Sequence, residues 1–250
     1  MSEGAPTLPG SLPALVTAPD ARTGHVVARG GGGYLTAGQT TSRPAKGSRG
    51  LGGARGFDRE KDDFYPTPDA LIDPLIVRHR KFLDQVNGGG PVWEPACGDG
   101  AICKALQRHG IASIGTDLVD RGYGESRRDF LLELKPPADC DSIVTNPPFR
   151  LWREFAEHAL SMDVGFVALL GRLQLLEGKR VSALFQETQL TSVMVSAGRV
   201  NMLPIVDGVR AVDKGHNGMI AWAWFVWVRH RVAHDRPYVE WFTPEKVVRA

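Results

Sequence analysis

Short apolar segments alternate with helix-patterned segments along most of the sequence. The apolar segments predict six strands, the first ending at Glu94 and the others at residues 111–117, 140–145, 164–170, 190–196 and 219–228. Helical spacing covers residues 68–82, with an interruption or restart at Pro74, and residues 100–108 and 151–160. This alternation is typical of a mostly parallel sheet flanked by helices. The sequence therefore predicts an α/β fold.

The first 56 residues differ in composition from the rest of the chain. They carry six basic and two acidic side chains, a net charge of +4, and include runs such as RGGGG. A segment so rich in Gly, Pro and Ser buries too little apolar surface to offset its ordering entropy. We predict a disordered basic tail over residues 1–56, followed by one domain over residues 57–250. The tail contributes solubility or, as the less favoured alternative, a salt-sensitive attraction to nucleic acid.

Composition also indicates a compartment. The chain has 250 residues, of which 42% are hydrophobic and 23% charged, as in ordinary globular proteins. Its strongest apolar segment, at residues 219–228, is shorter than the roughly 20 residues that a membrane helix needs. The three cysteines, Cys97, Cys103 and Cys140, have neither CxxC pairing nor metal-ligand spacing. We therefore predict a cytoplasmic protein with reduced thiols, no metal site and no membrane association.

A glycine-rich turn, EPACGDG, follows the first predicted strand and precedes a helix. Gly98 and Gly100 let the backbone turn sharply and approach a ligand closely. Cys103 replaces the third glycine of the dinucleotide fingerprint, and a carboxylate at Glu94 repels phosphate but suits a cation or hydroxyl groups. These two features argue against a nicotinamide or flavin cofactor.

A second acidic residue, Asp117, ends the next predicted strand, 23 residues after Glu94. An acid at this offset is the usual acceptor for the two ribose hydroxyls of a nucleoside ligand. Either carboxylate alone is more often a solvated charge at a strand end. The two together, on either side of a glycine turn, predict an adenosine site.

The sequence NPPF, at residues 146–149, ends the third predicted strand. Proline lacks the N–H that a central strand needs, so the strand stops at Asn146 and a stiffened loop follows. Open α/β sheets hold their ligands at the carboxyl ends of such strands. The tetrapeptide alone fits a tight turn equally well, so its interpretation depends on the neighbouring motifs.

These motifs together resemble one family. EPACGDG with Asp117 resembles the first two motifs of S-adenosylmethionine-dependent methyltransferases, and NPPF resembles the catalytic motif of their amino-methylating branch. YPTP, at residues 65–68, is similar to the cofactor-contacting motif of DNA adenine-N6 methyltransferases. Asp129 and Phe130 lie where that family places an acid and an apolar residue at the cofactor's adenine. LLGRLQLLEGKR and AWAWFVWVR resemble segments of compact bacterial and prophage methyltransferases.

The resemblance implies a fold, a cofactor and a reaction. The fold is a Rossmann-like class I methyltransferase, with a mostly parallel seven-stranded sheet and an antiparallel last strand. The reaction is methylation of the exocyclic N6 amino group of adenine in DNA. Methylation of adenine in RNA or of a glutamine amide in protein stays open, as does a nucleic-acid-binding relative without catalysis. The cofactor is S-adenosylmethionine, held by Tyr65, Thr67, Pro68, Glu94, Ala96, Cys97, Gly98, Gly100, Asp117, Asp129 and Phe130.

NPPF would supply the catalytic residues Asn146, Pro147, Pro148 and Phe149. The lone pair of an adenine amino group is delocalised into the ring, which makes the nitrogen a poor nucleophile. The side-chain oxygen of Asn146 and the carbonyl of Pro147 can accept its two N–H groups and draw the lone pair out of conjugation. The prolines fix both acceptors beforehand, and Phe149 stacks on the extracted base.

Candidates for substrate contact lie further along the chain. Arg172 either contacts a phosphate or pairs with Glu177 on a solvated face. Residues 203–218 form either a mobile hairpin loop or a DNA-contacting segment. We expect a monomer whose partner is DNA, with RNA as the alternative. The groups that the loop offers to a groove are Arg210, Lys214 and Asn217.

Two other features are interpreted as packing. Trp222, Trp224 and Trp227 could stack on bases, but a strand that is apolar on both faces is typically buried. Cys97 could be a nucleophile, but its place in a tight turn favours small-residue packing.

Overall fold

The computed structural model describes residues 64–86, 90–137, 139–203, 205–206, 209–210, 220–229 and 236–244. The predicted tail at residues 1–56 lies outside these ranges. Its disorder and the domain boundary after it therefore stay predictions.

Seven strands form one sheet within the described residues, and two more form a separate hairpin. The sheet strands are β1 (Val92–Glu94), β2 (Ser113–Gly115), β3 (Ser142–Thr145), β4 (Phe166–Arg172), β5 (Ser192–Ser196), β8 (Trp222–Val228) and β9 (Tyr238–Phe242). The hairpin consists of β6 (Ile205–Val206) and β7 (Val209–Arg210). The order across the sheet is β2-β1-β3-β4-β8-β5-β9.

The sheet is mostly parallel, as the sequence predicts. Strands β2, β1, β3 and β4 pair in parallel. Strand β8 runs antiparallel to both of its neighbours, β4 and β5. It is the last of the six predicted strands, but β9 follows it and pairs in parallel with β5. The predicted α/β architecture is confirmed, with the antiparallel strand next to last among the described sheet strands.

In the described part of the chain, four α-helices cover the two faces of the sheet. They are α1 (Asp69–Val86), α2 (Ala101–Arg108), α3 (Trp152–Ser161) and α4 (Lys179–Glu187). Helices α1 and α2 bury their apolar side chains in one core cluster, with residues such as Val92 and Val144 of the sheet. Helices α3 and α4 pack in a second cluster, with Trp93 and Ile143. Alternate residues of β1 and β3 therefore enter opposite cores.

Helix α1 is continuous through Pro74, although the sequence predicts an interruption or restart there. Proline at this position removes one backbone N–H from the helical ladder. On either side of it, Ile72 and Leu75 are completely buried, as are Leu71 and Ile76. Burial of four large aliphatic side chains offsets the lost hydrogen bond, since each contributes about 1.5–3 kcal/mol.

Two helical predictions differ in detail from the structure. The helical spacing over residues 151–160 includes Leu151, but this residue lies before α3 in a short 3₁₀ turn and is 40% exposed. The buried face of α3 consists of Trp152, Phe155, Ala156 and Ala159. The sequence patterns do not predict helix α4, whose buried residue is Leu184.

The tryptophans of β8 are buried, as predicted. Trp222, Trp224 and Trp227 are all less than 5% exposed. The indole N–H of Trp224 donates to the carbonyl of Leu71 at 2.7 Å, which ties α1 to the centre of the sheet. Among the described residues, no helix is long and apolar enough to cross a membrane.

Replacing Trp224 by Phe should lower the free energy of unfolding by about 1–3 kcal/mol, since the variant loses a buried hydrogen bond and leaves a void. The matched control is Trp241→Phe on β9, because Trp241 is 69% exposed. The control should change the free energy by no more than about 0.5 kcal/mol. Urea denaturation measures both variants, and equal losses would contradict this account of β8.

Candidate active site

A cavity of about 670 Å³ opens where the chain leaves β1 and β3. These two strands are neighbours, but α2 packs on one face of the sheet and α3 on the other. The chain therefore diverges after the strands and leaves a crevice, the usual ligand site of open α/β sheets. The volume lies in the range of small-molecule sites, about 300–1,000 Å³.

Most of the predicted site residues meet at this cavity. Those that line it are Tyr65, Thr67, Glu94, Ala96, Cys97, Asp117, Asp129, Phe130, Asn146 and Pro148. The predicted residues that are not part of its lining are Pro68, Gly98, Gly100, Pro147, Phe149 and Arg172. Three motifs far apart in the sequence are thus brought to one place.

The glycine turn is held by Asp117. One oxygen of its carboxylate accepts the backbone N–H of Gly98 at 2.8 Å, and the other accepts that of Val119 at 2.8 Å. Each carboxylate oxygen has a second lone pair, so Asp117 can also accept from a ligand. The residue predicted to bind ribose therefore also fixes the turn in place.

Aromatic rings lie against both glycines of the turn. A Cβ at Gly98 would overlap the ring of Phe64, and a Cβ at Gly100 would lie 2.5 Å from the ring of Tyr123. Both glycines also have positive φ, 55° and 81°. Glycine is therefore required here by aromatic packing and by backbone conformation together.

Glu94 is buried at the end of β1, with 1% of its surface exposed. One carboxyl oxygen accepts the backbone N–H of Ala96 at 3.3 Å, and the other makes no hydrogen bond of normal geometry among the described residues, although the Thr145 side chain is near enough to favour the carboxylate. Burial raises the pKa of Glu94 from 4.5 to about 8. An enclosed carboxyl with an unused oxygen suits a ligand that donates hydrogen bonds or carries positive charge.

Cys97 packs as a small residue in the turn, as predicted. Its thiol donates to the carbonyl of Tyr123 at 3.5 Å. Burial raises the pKa of Cys97 well above its usual range and that of Cys103 to about 12, so neither thiol ionises near neutral pH. Among the described residues, no group of three or more His, Cys, Asp and Glu could hold a metal ion.

Asn146 follows β3 and reaches across to the YPTP segment. Its Nδ2 donates to Oγ1 of Thr67 at 3.0 Å and to the carbonyl of Tyr65 at 3.4 Å. Its Oδ1 is buried and has no partner among the described residues. The amide nitrogen of Asn146 is therefore hydrogen-bonded, and its amide oxygen is available to accept a hydrogen bond from a ligand.

Phe149, which was predicted to stack on a base, packs against three other side chains. Its ring lies nearly parallel to that of Tyr65, with centroids 6.1 Å apart, and 5.4 Å from that of Trp222. The guanidinium of Arg172 lies 5.0 Å from the Phe149 centroid. Arg172 therefore lies over NPPF, and Tyr65 is the member of this group that lines the cavity.

Asp129 and Phe130 form the wall beside Asp117. The carboxylate of Asp129 accepts the backbone N–H of Leu131 at 3.0 Å and begins a short 3₁₀ turn. Phe130 is buried against Trp93 and Phe155, with centroids 5.2 and 4.8 Å away. Both residues line the cavity, and their predicted contact with the cofactor's adenine stays a prediction.

The cavity also has lining residues that sequence reasoning missed. Phe64 directly precedes YPTP and Arg150 directly follows NPPF, so adjacency to the motifs could have indicated both. Arg121, whose guanidinium lies 4.1 Å from the Phe64 ring centroid, had no such signal. Of the predicted groove contacts, Arg210 belongs to β7, and Lys214 and Asn217 lie outside the described residues.

Comparisons with known proteins show likeness of fold at low identity. No family model and no curated protein matches the sequence. A proposed RNA methyltransferase from Pyrococcus horikoshii is 15% identical, with 70% of this chain and 92% of that chain covered and a TM-score of 0.49. A SAM-dependent methyltransferase from Archaeoglobus fulgidus is 15% identical, with 62% and 93% covered and a TM-score of 0.38.

The M protein of the type I restriction enzyme EcoKI is 14% identical, with 66% of this chain covered and a TM-score of 0.38. This chain covers 47% of that M protein. Likenesses at these identities and scores carry no argument about activity. The residues at the cavity are therefore the basis for proposing an activity.

Replacing Glu94 by Gln should change how stability depends on pH. Glu94 ionises near pH 4.5 in the unfolded chain but holds its proton to about pH 8 in the folded one. The wild-type free energy of unfolding therefore falls with rising pH between these values, by up to about 1.4 kcal/mol per pH unit, and Gln lacks this loss. Denaturation measured from pH 5 to pH 8 should show that the free energy of unfolding of the variant rises relative to that of the wild type. Glu187→Gln, an exposed control, should follow the wild type, and a gap for Glu94→Gln that does not widen would contradict the raised pKa.

Proposed function

We propose that this protein is an S-adenosylmethionine-dependent methyltransferase that methylates the exocyclic N6 amino group of adenine in DNA. The observation that carries the proposal is the buried Oδ1 of Asn146 at the edge of the cavity, which has no hydrogen-bond partner in the described part of the chain. An acceptor without a donor costs free energy unless a ligand supplies the donor. A substrate amino group is such a donor.

The residues present fit the cofactor. A cavity of about 670 Å³ can enclose a nucleoside joined to an amino acid. Glu94 offers an unused oxygen to an ammonium or hydroxyl group, and Asp117 retains lone pairs for ribose hydroxyls. When bound, S-adenosylmethionine supplies an electrophilic methyl group: the substrate nitrogen lone pair forms the N–C bond, the C–S bond electrons go to sulfur, and the nitrogen releases a proton to solvent.

Asn146 and Pro147 make the substrate amino nitrogen a better nucleophile. Oδ1 of Asn146 accepts one substrate N–H, and the resemblance of NPPF assigns the other to the carbonyl of Pro147, which is buried next to Asn146 and is not itself part of the cavity lining. The two acceptors hold the amino group so that its lone pair leaves the ring plane. Because proline fixes the backbone of the loop, this arrangement costs no reorganisation when the substrate arrives.

A nucleic-acid base is the substrate that the surroundings favour. Tyr65 lines the cavity, and its ring can stack on an extruded base. Arg121 and Arg150 also line the cavity, and Arg150 is exposed directly after NPPF, where a phosphate can reach it. In this arrangement Phe149 and Arg172 do not line the cavity, and their contact with each other stabilises the NPPF loop. DNA is chosen over RNA on the resemblance of YPTP and of the segments around Arg172.

Incubation with methyl-labelled S-adenosylmethionine and separate pools of unmethylated DNA, RNA and protein tests the function. We expect label in DNA, released as N6-methyladenine on digestion to nucleosides. Label only in RNA adenine or in protein glutamine would contradict the choice of polymer and leave the amino chemistry standing. No transfer to any pool would refute the enzymatic function.

Asn146→Ala should lower kcat by about 100- to 1,000-fold, since one preorganised acceptor is lost. Its dissociation constant for S-adenosylmethionine, measured by calorimetry, should change little because Asn146 serves the substrate. Gln186→Ala, which removes an exposed amide from α4, is the control and should keep wild-type turnover. Wild-type kcat in the Asn146 variant would refute the assigned role.

A further inference from the structure

We infer that Thr67 is a positioning residue that, together with the carbonyl of Tyr65, holds the Asn146 amide with its oxygen toward the substrate. This inference rests on the proposed amino-methylation site. It adds the contact that keeps the oxygen of the Asn146 amide toward the substrate. An asparagine side chain can turn over and exchange its oxygen and nitrogen. Catalysis as proposed needs the oxygen toward the substrate, so something must hold the amide in that orientation.

The Nδ2 group of Asn146 is surrounded by acceptors. The carbonyl of Tyr65 lies 3.4 Å away, Oγ1 of Thr67 lies 3.0 Å away, and the sulfur of Met202 lies 4.0 Å away. A backbone carbonyl can only accept and a thioether accepts weakly, whereas the Thr67 hydroxyl can accept or donate; the carbonyl of Tyr65 therefore sets the orientation, and Thr67 holds the amide in it. An amide turned the other way would place Oδ1 against the lone pairs of the Tyr65 carbonyl and the Met202 sulfur. The contacts therefore select the orientation with Nδ2 inward and Oδ1 free for a donor.

Thr67 makes the shortest of these contacts and is itself held rigidly. It is 5% exposed and lies between Pro66 and Pro68, so its neighbours on both sides have fixed φ. A residue before proline is also restricted to extended conformations. Two proline-stiffened segments, YPTP and NPPF, thus meet through the hydrogen bond from Asn146 to Thr67.

Thr67→Val tests the hydrogen bond with almost no change of shape. The variant should lower kcat by about 3- to 10-fold, the effect of one hydrogen bond, and leave the KM for DNA near wild type. Because Thr67 is also a predicted cofactor contact, the dissociation constant for S-adenosylmethionine is measured alongside. Thr67→Ser, which keeps the hydroxyl, should restore kcat. Thr191→Val is the control: it removes the hydroxyl that accepts the backbone N–H of Val228 at 2.9 Å, and it should not change kcat.

A double-mutant cycle separates positioning from general damage. In the Asn146→Ala background there is no amide to orient, so adding Thr67→Val should not lower kcat further. An additive loss would show that Thr67 acts by another route and would overturn the inference. A loss confined to cofactor affinity, with kcat unchanged, would overturn it as well.

The side-chain amide signal of Asn146 gives a readout that needs no activity. It is assigned in ¹⁵N NMR spectra as the signal missing from Asn146→Ala. Its hydrogen exchange should be slow in the wild type and in Thr67→Ser, and about 10-fold faster in Thr67→Val, since the donor loses its best acceptor. Unchanged exchange would refute the positioning role even in an active enzyme. An inactive wild type refutes the proposed function and, with it, the orientation toward a substrate, whatever the NMR shows.

Discussion

The parallel pairing of β1 with β3 determines where the functional groups of this chain lie. Trp93 is in register with Ile143, so the carboxyl ends of the two strands lie side by side, with Glu94 at the end of β1 and Asn146 directly after β3. Since the helices that follow pack on opposite faces, the segments after the two strands part and create the cavity. A shift of one residue in the register of β1 against β3 would turn the Glu94 side chain to the other face of the sheet and misalign the NPPF loop.

Local patterns were enough to predict much of this arrangement. Six sheet strands, the α2 helix and the buried tryptophans of β8 follow from apolar runs and from spacing. The convergence of Glu94, Asp117 and Asn146 also follows, because parallel strands end at the same edge of a sheet. The roles proposed for these residues rest on their chemistry and on the resemblance of their motifs.

Other features depend on contacts that no local pattern encodes. Pro74 stays inside α1 because the helix is buried on the sheet, which outweighs the local cost. Strand β9 lies at the edge of the sheet, with Val239 and Trp241 exposed, and so lacks the continuous apolar run of a central strand. The ring of Phe149 faces Tyr65, Trp222 and Arg172, an orientation that depends on side chains from three separate segments.

The protonation state of the enclosed Glu94 carboxyl couples ligand binding in the cavity to the pH of the medium. Near neutral pH the group holds its proton, because its pKa is about 8. A ligand that brings a positive charge to the free oxygen favours the carboxylate and must displace that proton. Filled and empty forms of the protein then differ by one bound hydrogen ion. For such a ligand, binding near neutral pH would release a proton to the medium, and dissociation would take one up.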